Sequence, residues 1–307
     1  MLNHALKRLL TAIPTLIVLV TLTFFLMRAA PGGPFDSARS LPPAVEQALA
    51  ESYHLDESLA RQYLRYLGGL LRGDLGPSFQ YDGLTVNELL AAGLPVSLAL
   101  GFSALLLSLL LGCAAGAWAA LRHNRWQDRM LMTLAMTGIS VPALVVAPLM
   151  ILLFALTLGW LPAGGWDGGA WQNILLPVLA LALPQIACIA RLMRGSMIEV
   201  LRQNYIRAAR ARGLPESAVV LRHALKPALM PVLSYLGPAA AGLLTGSVVV
   251  EQIFDLPGIG RYFVQGALNR DYTLVLGVVL LYGMLIVLFN LLVDLLYGVL
   301  DPRVRHK

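Results

Sequence analysis

The sequence predicts an all-α integral membrane protein with six transmembrane helices. Hydrophobic residues make up 58% of the 307 residues and charged residues only 13%, whereas about a quarter of a soluble domain is normally charged. The hydrophobic residues form six long runs, and the basic residues cluster between the runs. Because cytoplasmic loops of membrane proteins are rich in lysine and arginine, this pattern predicts a multi-pass protein with both termini in the cytoplasm. It also argues against a nucleic-acid partner.

Residues 1–30 are predicted to hold a short cytoplasmic tail and the first transmembrane helix. Lys7 and Arg8 precede an apolar run from Leu9 to Met27. A signal peptide is the alternative, but the run is longer than a signal-peptide core and no clean cleavage site follows it. About 20 helical residues cross the hydrocarbon core at roughly 1.5 Å each. We therefore expect a membrane-spanning helix here.

Residues 31–93 are predicted to form a small extracytoplasmic element between the first and second helices. This segment is polar, with eight acidic and four basic residues. Helical patterns begin at Leu41 and extend from Glu57 to Leu71. Tyrosines and leucines recur in it at helix-like intervals, which favours a folded element over a mobile loop.

The other five helices are predicted to form a permease core at residues 94–300, followed by a basic cytoplasmic tail at residues 301–307. Pro142 and Pro148 predict kinks in the third helix. The tryptophan-rich loop at residues 159–173 is typical of the external membrane interface. The predicted spans are Val96–Ala120, Leu131–Leu158, Ile174–Ala190, Leu229–Val250 and Tyr272–Val299.

The most basic stretch, residues 191–227, is predicted to be a cytoplasmic helix–turn–helix. Gly213 is suited to end a helix because glycine adopts positive φ without steric cost. Pro215 is compatible with the first turn of the next helix. Ala208 and Ala209 are small, so another surface can approach closely. Two interpretations are open: a docking surface for a partner protein, or a positive anchor on anionic lipid.

The spacing in this stretch resembles a motif of ABC importer permeases. That motif reads Glu-Ala-Ala, three residues, Gly, nine residues, and then Ile-x-Leu-Pro. In the motif positions this chain has Arg207 in place of Glu, the Ala-Ala pair, Gly213, and then His223, with the proline one step late at Pro227. Arg-x-Ala-Arg-Ala-Arg-Gly is similar to the peptide-importer branch. The resemblance assigns ATPase docking to Tyr205, Arg207, Ala208, Ala209, Gly213, Leu214, His223 and Pro227.

Motifs elsewhere extend the resemblance to nearly the whole chain. Together they resemble the B-type permease of oligopeptide ABC importers, within the peptide/nickel family. The motifs are Ala30-Pro-Gly-Gly-Pro34, Gly73-Asp-Leu-Gly-Pro-Ser78, Arg194-Gly-Ser-Met-Ile-Glu-Val200, Glu251 through Gly260, and Asn269-Arg-Asp-Tyr272.

This resemblance implies the type I importer fold and a bacterial inner-membrane location. It also implies a homologous second permease, two cytoplasmic ATPases, an extracytoplasmic solute-binding protein and a peptide substrate. Related permeases serve dipeptides, nickel complexes and glutathione, so those substrates remain alternatives.

The sequence lacks the groups that a nucleotide-driven enzyme would need in its own chain. Its three lysines are Lys7, Lys226 and Lys307, and none follows a glycine as a phosphate-binding loop requires. We therefore expect no cofactor in this chain, with ATP and magnesium bound by the partner ATPases. Metal-ligand spacing is absent around Cys113 and Cys188. A membrane hydrolase is disfavoured because the histidines lie outside the predicted spans.

An ion-coupled secondary transporter is the remaining rival. Such proteins place polar or ionisable groups near mid-membrane, and the predicted spans hold few, namely Gln185, Asn290 and Asp294. Glu251 and Asp255 follow the fifth span on the external side. They are candidates for an outer gate, and a structural salt bridge with Arg261 is the alternative.

Overall fold

The computed structural model describes residues 2–29, 32–33 and 43–300. Apart from one isolated antiparallel bridge between Pro77 and Thr85, the regular structure in these ranges is helical. π-helical turns occupy Ile151–Thr157 and Val219–Ala224, and a 3₁₀ turn occupies Asp167–Gly169. The α-helices are α1 (Leu2–Ala29), α2 (Pro43–Ser52), α3 (Leu59–Leu70), α4 (Val86–Leu121), α5 (Trp126–Ser140), α6 (Ala143–Met150), α7 (Trp171–Leu201), α8 (Asn204–Ala211), α9 (Glu216–Ala218), α10 (Leu225–Ala228), α11 (Met230–Ile253), α12 (Ile259–Leu268) and α13 (Tyr272–Leu300).

Five of these helices are long and apolar enough to cross a membrane: α1, α4, α7, α11 and α13. The sixth span is α5 and α6 with its π-helical continuation, which are joined across a bend of 102°. The prediction of six spans is therefore confirmed when the bent pair is counted as one.

The third span differs from the continuous kinked helix that the sequence predicted. Helix α5 ends at Ser140, and both Val141 and Pro142 are extended, with ψ of 117° and 146°. Proline disfavours the α conformation in the residue before it, and Val141 takes the extended conformation instead. The chain breaks here and restarts with Pro142 as the N-cap residue of α6.

Helix α4 begins ten residues before its predicted span. Thr85 and Glu88 form a capping box, in which the backbone N–H of Thr85 donates to the Glu88 carboxylate at 2.8 Å. At 1.5 Å per residue the 36 residues extend for about 54 Å, well beyond a hydrocarbon core of about 30 Å. The first turns of α4 therefore extend beyond the membrane, and the boundary at residue 93 that was predicted for the element of residues 31–93 falls inside this helix.

Helices α4 and α7 make the most extensive helix–helix contact of the described chain. Gly112 and Gly116 are one turn apart on the contact face, and both are buried. A Cβ atom on Gly116 would lie 2.4 Å from the carbonyl oxygen of Ala190, and one on Gly112 would lie 2.7 Å from Ile189. Small residues at this spacing allow membrane helices to approach closely, which explains why α7 lies directly against α4.

The described part of residues 31–93, which the sequence predicts to be extracytoplasmic, packs on the end of the bundle where α1 stops and α13 begins. Phe24 of α1, Tyr66 of α3 and Leu276 of α13 share one hydrophobic cluster. The hydroxyl groups of Thr21 and Tyr63 form a 2.6 Å hydrogen bond across the same contact. The element is folded, as the tyrosine and leucine pattern predicted. The predicted helix start at Leu41, most of the motif at residues 30–34 and the tail at residues 301–307 lie outside the described residues.

Candidate functional site

The basic stretch forms a compact helical hairpin at the end of α7. We call residues 202–228 the coupling segment after the role that the sequence predicts for it, and that role stays a prediction. Helix α7 continues to Leu201, so residues 191–201 are helical and the predicted loop begins eleven residues later. Helix α8 leads to a turn at Gly213, after which α9, a π-helical turn and α10 run back. The predicted helix–turn–helix is confirmed.

The inner face of the coupling segment is fixed to the ends of α4 and α7. Its apolar side chains are at most 7% exposed, and they pack against Ala120, Ile189, Met193 and Met197. The inward-facing residues are Ile206, Ala209, Val219, Ala224 and Ala228. Because this contact is continuous with the membrane helices, a displacement of the coupling segment would be transmitted to α4 and α7.

The outer face of the coupling segment is open to solvent. Tyr205 and Leu214 are 46% and 38% exposed, although both side chains are largely apolar. His223 is half-buried. The other predicted docking residues on this face are all exposed: Arg207, Ala208, Gly213 and Pro227. Seven of the eight predicted docking residues are therefore accessible at least in part.

Ala209 is the exception, because it faces inward. Its side chain is 7% exposed and packs in the same cluster as Ile206, three residues earlier on α8. A partner protein can touch Ala208 but not the methyl group of Ala209. The structure therefore makes Ala209 a packing residue that holds α8 on the membrane helices, rather than the direct docking contact that the motif spacing suggested.

The turn at Gly213 has the hydrogen bonds of a Schellman motif. The Leu214 N–H donates to the carbonyl of Ala209 at 3.4 Å, and the Gly213 N–H donates to that of Arg210 at 2.9 Å. Gly213 has a φ of +77°, and no atom lies within 4 Å of the position a Cβ would take. The predicted helix stop is confirmed, and its requirement for glycine is conformational rather than steric.

An ion pair between Arg210 and Glu216 closes the same turn. The Arg210 Nε donates to Glu216 Oε2 at 3.0 Å, and a second hydrogen bond joins Nη2 to Oε1. This bidentate contact lowers the pKa of the Glu216 carboxyl group and raises the pKa of Arg210. Sequence analysis missed the pair because residues six apart do not share a helix face, and only the turn brings them together.

On the other side of the membrane, Glu251 is an anchor for α12. The side chain is fully buried, and its Oε2 accepts a 2.7 Å hydrogen bond from the Gly260 N–H. The hydroxyl oxygen of Ser97 on α4 accepts a 2.9 Å hydrogen bond from the N–H of Ile259, the residue before Gly260. A carboxylate at a helix N-terminus is favourable. A Cβ on Gly258 would lie 2.2 Å from Glu251 Oε2, so the glycine there allows the contact.

Asp255 is separate from Glu251 and is 75% exposed at its side chain. It forms a 2.8 Å ion pair with Arg261, so the salt bridge that the sequence left open belongs to Asp255 and not to Glu251. The two candidates for an outer gate thus have different surroundings, since Glu251 is buried and Asp255 is exposed to solvent. Their role in gating stays a prediction.

A third polar cluster is centred on Asp271, which is fully buried. Its Oδ2 accepts hydrogen bonds from Ser78 Oγ at 2.5 Å and from the backbone N–H groups of Phe79 and Gln80. Its Oδ1 accepts from the Leu274 N–H at 3.1 Å and so caps the start of α13. Sequence analysis quoted both segments as motifs but assigned them no contact.

A fourth cluster ties the start of α5 to α7. Asp128 is 2% exposed, and it accepts hydrogen bonds from Arg194 Nε at 2.5 Å and Nη2 at 2.8 Å. The Asn124 N–H donates to the same carboxylate at 2.9 Å, and His123 Nδ1 lies 3.5 Å away. Arg194 opens one of the quoted motifs, and this contact gives it a physical role beside the coupling segment.

The polar residues considered for ion coupling serve helix contacts where their side chains are described. Tyr235 of α11 donates a 2.9 Å hydrogen bond to Gln185 of α7. The side chain of Asn290 lies against Gly237, where a Cβ would be 2.6 Å from its Oδ1. The side chain of Asp294 lies outside the described part of the chain.

The fold and the coupling segment define a class, the membrane-spanning subunit of a solute transporter. Residues 108–306 match the family described as binding-protein-dependent transport system inner membrane component. The chain belongs to this family.

The chain is also similar over its full length to individual permease proteins. Over 306 residues and the full length of both chains, this chain is 55% identical to the oligopeptide transport system permease protein OppB of Salmonella typhimurium and 52% identical to that of Haemophilus influenzae. It is 43% identical to the dipeptide transport system permease protein DppB of Bacillus subtilis, over all of this chain and 99% of the relative. The chain is therefore a multi-pass permease subunit of an ABC importer.

A solved structure agrees with this fold. The MetNI methionine ABC transporter, described in inward-facing conformations, matches with a TM-score of 0.57 and 19% identity. The match covers 69% of this chain and 96% of that chain. The predicted importer-permease fold is confirmed.

Proposed function

We propose that this chain forms half of the translocation path of an oligopeptide importer in the bacterial inner membrane. The support for the substrate is the full-length identity of 55% to a permease named for oligopeptide transport, against 43% to one named for dipeptides. Dipeptide, nickel and glutathione importers are the alternatives. A homologous permease would form the other half of the path, and an extracytoplasmic binding protein would deliver the peptide.

In this proposal the energy comes from two cytoplasmic ATPases, which bind ATP and magnesium. The observation that carries the proposal is the two-sided coupling segment. Its inner face is locked onto α4 and α7, while its outer face presents exposed apolar and basic side chains beside a small residue, Ala208. An ATPase that binds the outer face and changes its conformation would move the ends of α4 and α7.

The proposed orientation places both termini and the coupling segment in the cytoplasm, with residues 31–93 outside. The basic residues between spans support it, since they fall on one side when the spans alternate. The exposed tryptophans Trp160 and Trp171 then lie at the external interface.

The docking role can be tested with one exposed alanine. Ala208→Asp adds a carboxylate to the outer face without entering the core, so we expect the ATPases to be lost when the complex is purified through a tag on this chain. Ala60→Asp is the matched control, because Ala60 is also exposed but lies on α3 of the extracytoplasmic element. Normal ATPase recovery and peptide uptake with Ala208→Asp would exclude docking through this face.

The importer as a whole can be tested by expressing the chain with its genomic neighbours and identifying what co-purifies. We expect two ATPases and a second permease. A chain that purifies alone and moves solute into vesicles without ATP would instead be a secondary transporter.

A further inference from the structure

A cavity of about 550 Å³ lies in the extracytoplasmic element, at the end of the bundle where α1 stops and α13 begins. It is lined by the last turns of α1, by residues 52–55, by α3, by residues 72–79 and by the first turns of α13. Phe24 and Leu276 form part of its apolar wall. Among its polar lining residues are Arg28, Arg65, Tyr66, Arg72 and Asp74.

Arg28 has unused hydrogen-bonding capacity in this cavity. Its Nε donates to Gln62 at 2.9 Å, and its guanidinium carbon lies 3.7 Å from the centroid of the Phe24 ring. Its Nη1 is buried from solvent and has no hydrogen-bond partner in the described structure. Because an unpaired buried N–H of a charged group costs free energy, an acceptor from outside the chain would stabilise this arrangement.

Tyr66 is a second unused donor in the same cavity. Its side chain is 9% exposed, and its hydroxyl group also lacks a partner. Burial raises the pKa of Tyr66 to about 12, so the phenol stays protonated and able to donate.

The charges around the cavity also favour an anion. Three arginines and one aspartate line its described part, and Asp74 already accepts the Gly76 N–H at 2.9 Å. Arg65 pairs with Glu57. The ion pairs of the described residues include neither Arg28 nor Arg72.

The position of the cavity favours a lipid over a peptide as the source of that anion. Helix α1 packs mainly on α13 at the edge of the bundle. Leu22, Phe25 and Leu26, on the turns that approach Arg28, are 57%, 44% and 68% exposed. Arg28 is in the last turn of the span Leu10–Ala29, which places it at the level of lipid headgroups in the proposed orientation.

We propose that this cavity binds the phosphate group of an anionic phospholipid from the outer leaflet. Arg28 and Tyr66 donate hydrogen bonds to the phosphate oxygens, and Arg72 adds charge at the exposed rim. Arginine is suited to this role because its planar guanidinium group can bind two oxygens of one phosphate. The lipid would hold the extracytoplasmic element on α1 and α13.

The test is native mass spectrometry of the complete purified complex, titrated with phosphatidylglycerol. Tyr66→Phe removes only a hydroxyl group that none of the described residues binds, and we expect about a fivefold loss of affinity, as for one hydrogen bond. Arg28→Gln and Arg72→Gln should each weaken binding further, by about tenfold for Arg28. Tyr282→Phe is the matched control for the tyrosine, because its side chain is also 9% exposed but lies outside this cavity.

Arg61→Gln is the control for charge, since Arg61 is exposed on α3 but does not line the cavity. The proposal is overturned by equal lipid affinity in all variants, or by an equal loss in Arg61→Gln and Arg72→Gln. The proposal is also overturned if inorganic phosphate or an oligopeptide displaces the lipid from the wild-type protein at a concentration no higher than that at which the lipid itself binds. If Arg28→Gln does not fold, Tyr66→Phe and Arg72→Gln decide the result. ATPase recovery is scored separately, so failure here leaves the docking proposal intact.

Discussion

The Ser78 hydroxyl group donates a 2.5 Å hydrogen bond to the Asp271 carboxylate, joining residues 193 positions apart. The same carboxylate binds two backbone N–H groups that follow Ser78 and caps the first turn of α13. Two motifs that are distant in sequence are thus the two halves of one contact. This contact fixes the extracytoplasmic element to the start of the last membrane helix.

The first prediction concerns this contact. Ser78→Ala leaves Asp271 without one charge-assisted donor in a buried site, and Asp271→Asn weakens several donors at once. We expect a loss of about 2 kcal/mol for Ser78→Ala, the range for hydrogen bonds to charged groups, and a larger loss for Asp271→Asn. Thermal unfolding of the purified complex and protease cleavage within residues 72–85 measure the effect.

Ser58→Ala is the matched control for this pair. Ser58 is at the N-cap of α3 but makes no side-chain cap hydrogen bond, so its replacement should change stability by less than about 0.5 kcal/mol. A Ser78→Ala protein that melts and resists protease like the control would show that the contact does not hold the element.

The sequence predicted the membrane spans well because each is a long apolar run. It did not predict α12, a ten-residue helix in the connection between α11 and α13. The N-terminus of α12 is bound by Glu251 and Ser97, which lie on α11 and α4, and such distant partners are invisible to a local pattern. The sequence could have predicted the early start of α4, because Thr85 and Glu88 have the spacing of a capping box.

Within the coupling segment, the motif spacing did not predict which residues face solvent and which face the core. Spacing alone treats Ala208 and Ala209 alike, whereas helix rotation turns one to solvent and one to the core. The position of Ile206 could have indicated which of the two alanines faces the core. Ile206 is an apolar residue in a basic helix, and residues three apart share a helix face, so Ala209 follows Ile206 inward.

The second prediction separates anchoring from gating at the outer end of α11. Glu251→Ala leaves the Gly260 N–H without its acceptor and opens a cavity, so we expect a loss of about 3 kcal/mol. Glu251→Gln keeps an acceptor oxygen and should cost less than half as much. Asp255→Asn breaks only an exposed ion pair, worth about 1 kcal/mol or less. Thermal unfolding and peptide uptake are measured together for the three variants.

Normal stability in Glu251→Ala with lost uptake would favour a gating role over anchoring.

The third prediction concerns the turn at Gly213. Because its φ is +77° and the space around it is open, substitutions should follow conformational preference and not size. Asparagine tolerates the left-handed conformation, whereas a β-branched residue is strained there. We expect Gly213→Asn to recover nearly normal amounts of ATPase and Gly213→Val to recover much less, in the same tag purification. Equal recovery from both variants would mean that the turn conformation is unimportant for docking.

The fourth prediction is a coupling energy between Asp128 and Arg194. Removing one partner of a buried ion pair leaves an uncompensated charge, which typically costs 3–5 kcal/mol. Asp128→Asn leaves Arg194 alone, and because Arg194 is 25% exposed at its side chain, water reduces this penalty to about 2 kcal/mol. Arg194→Gln leaves Asp128, which is 2% exposed, so we expect a larger loss of about 3 kcal/mol. The double variant has no stranded charge, and it should be no less stable than either single variant. Additive losses in a double-mutant cycle of thermal unfolding would show that the two residues do not interact. A clear coupling would instead identify this pair as the bond that holds α5 to α7 beside the coupling segment.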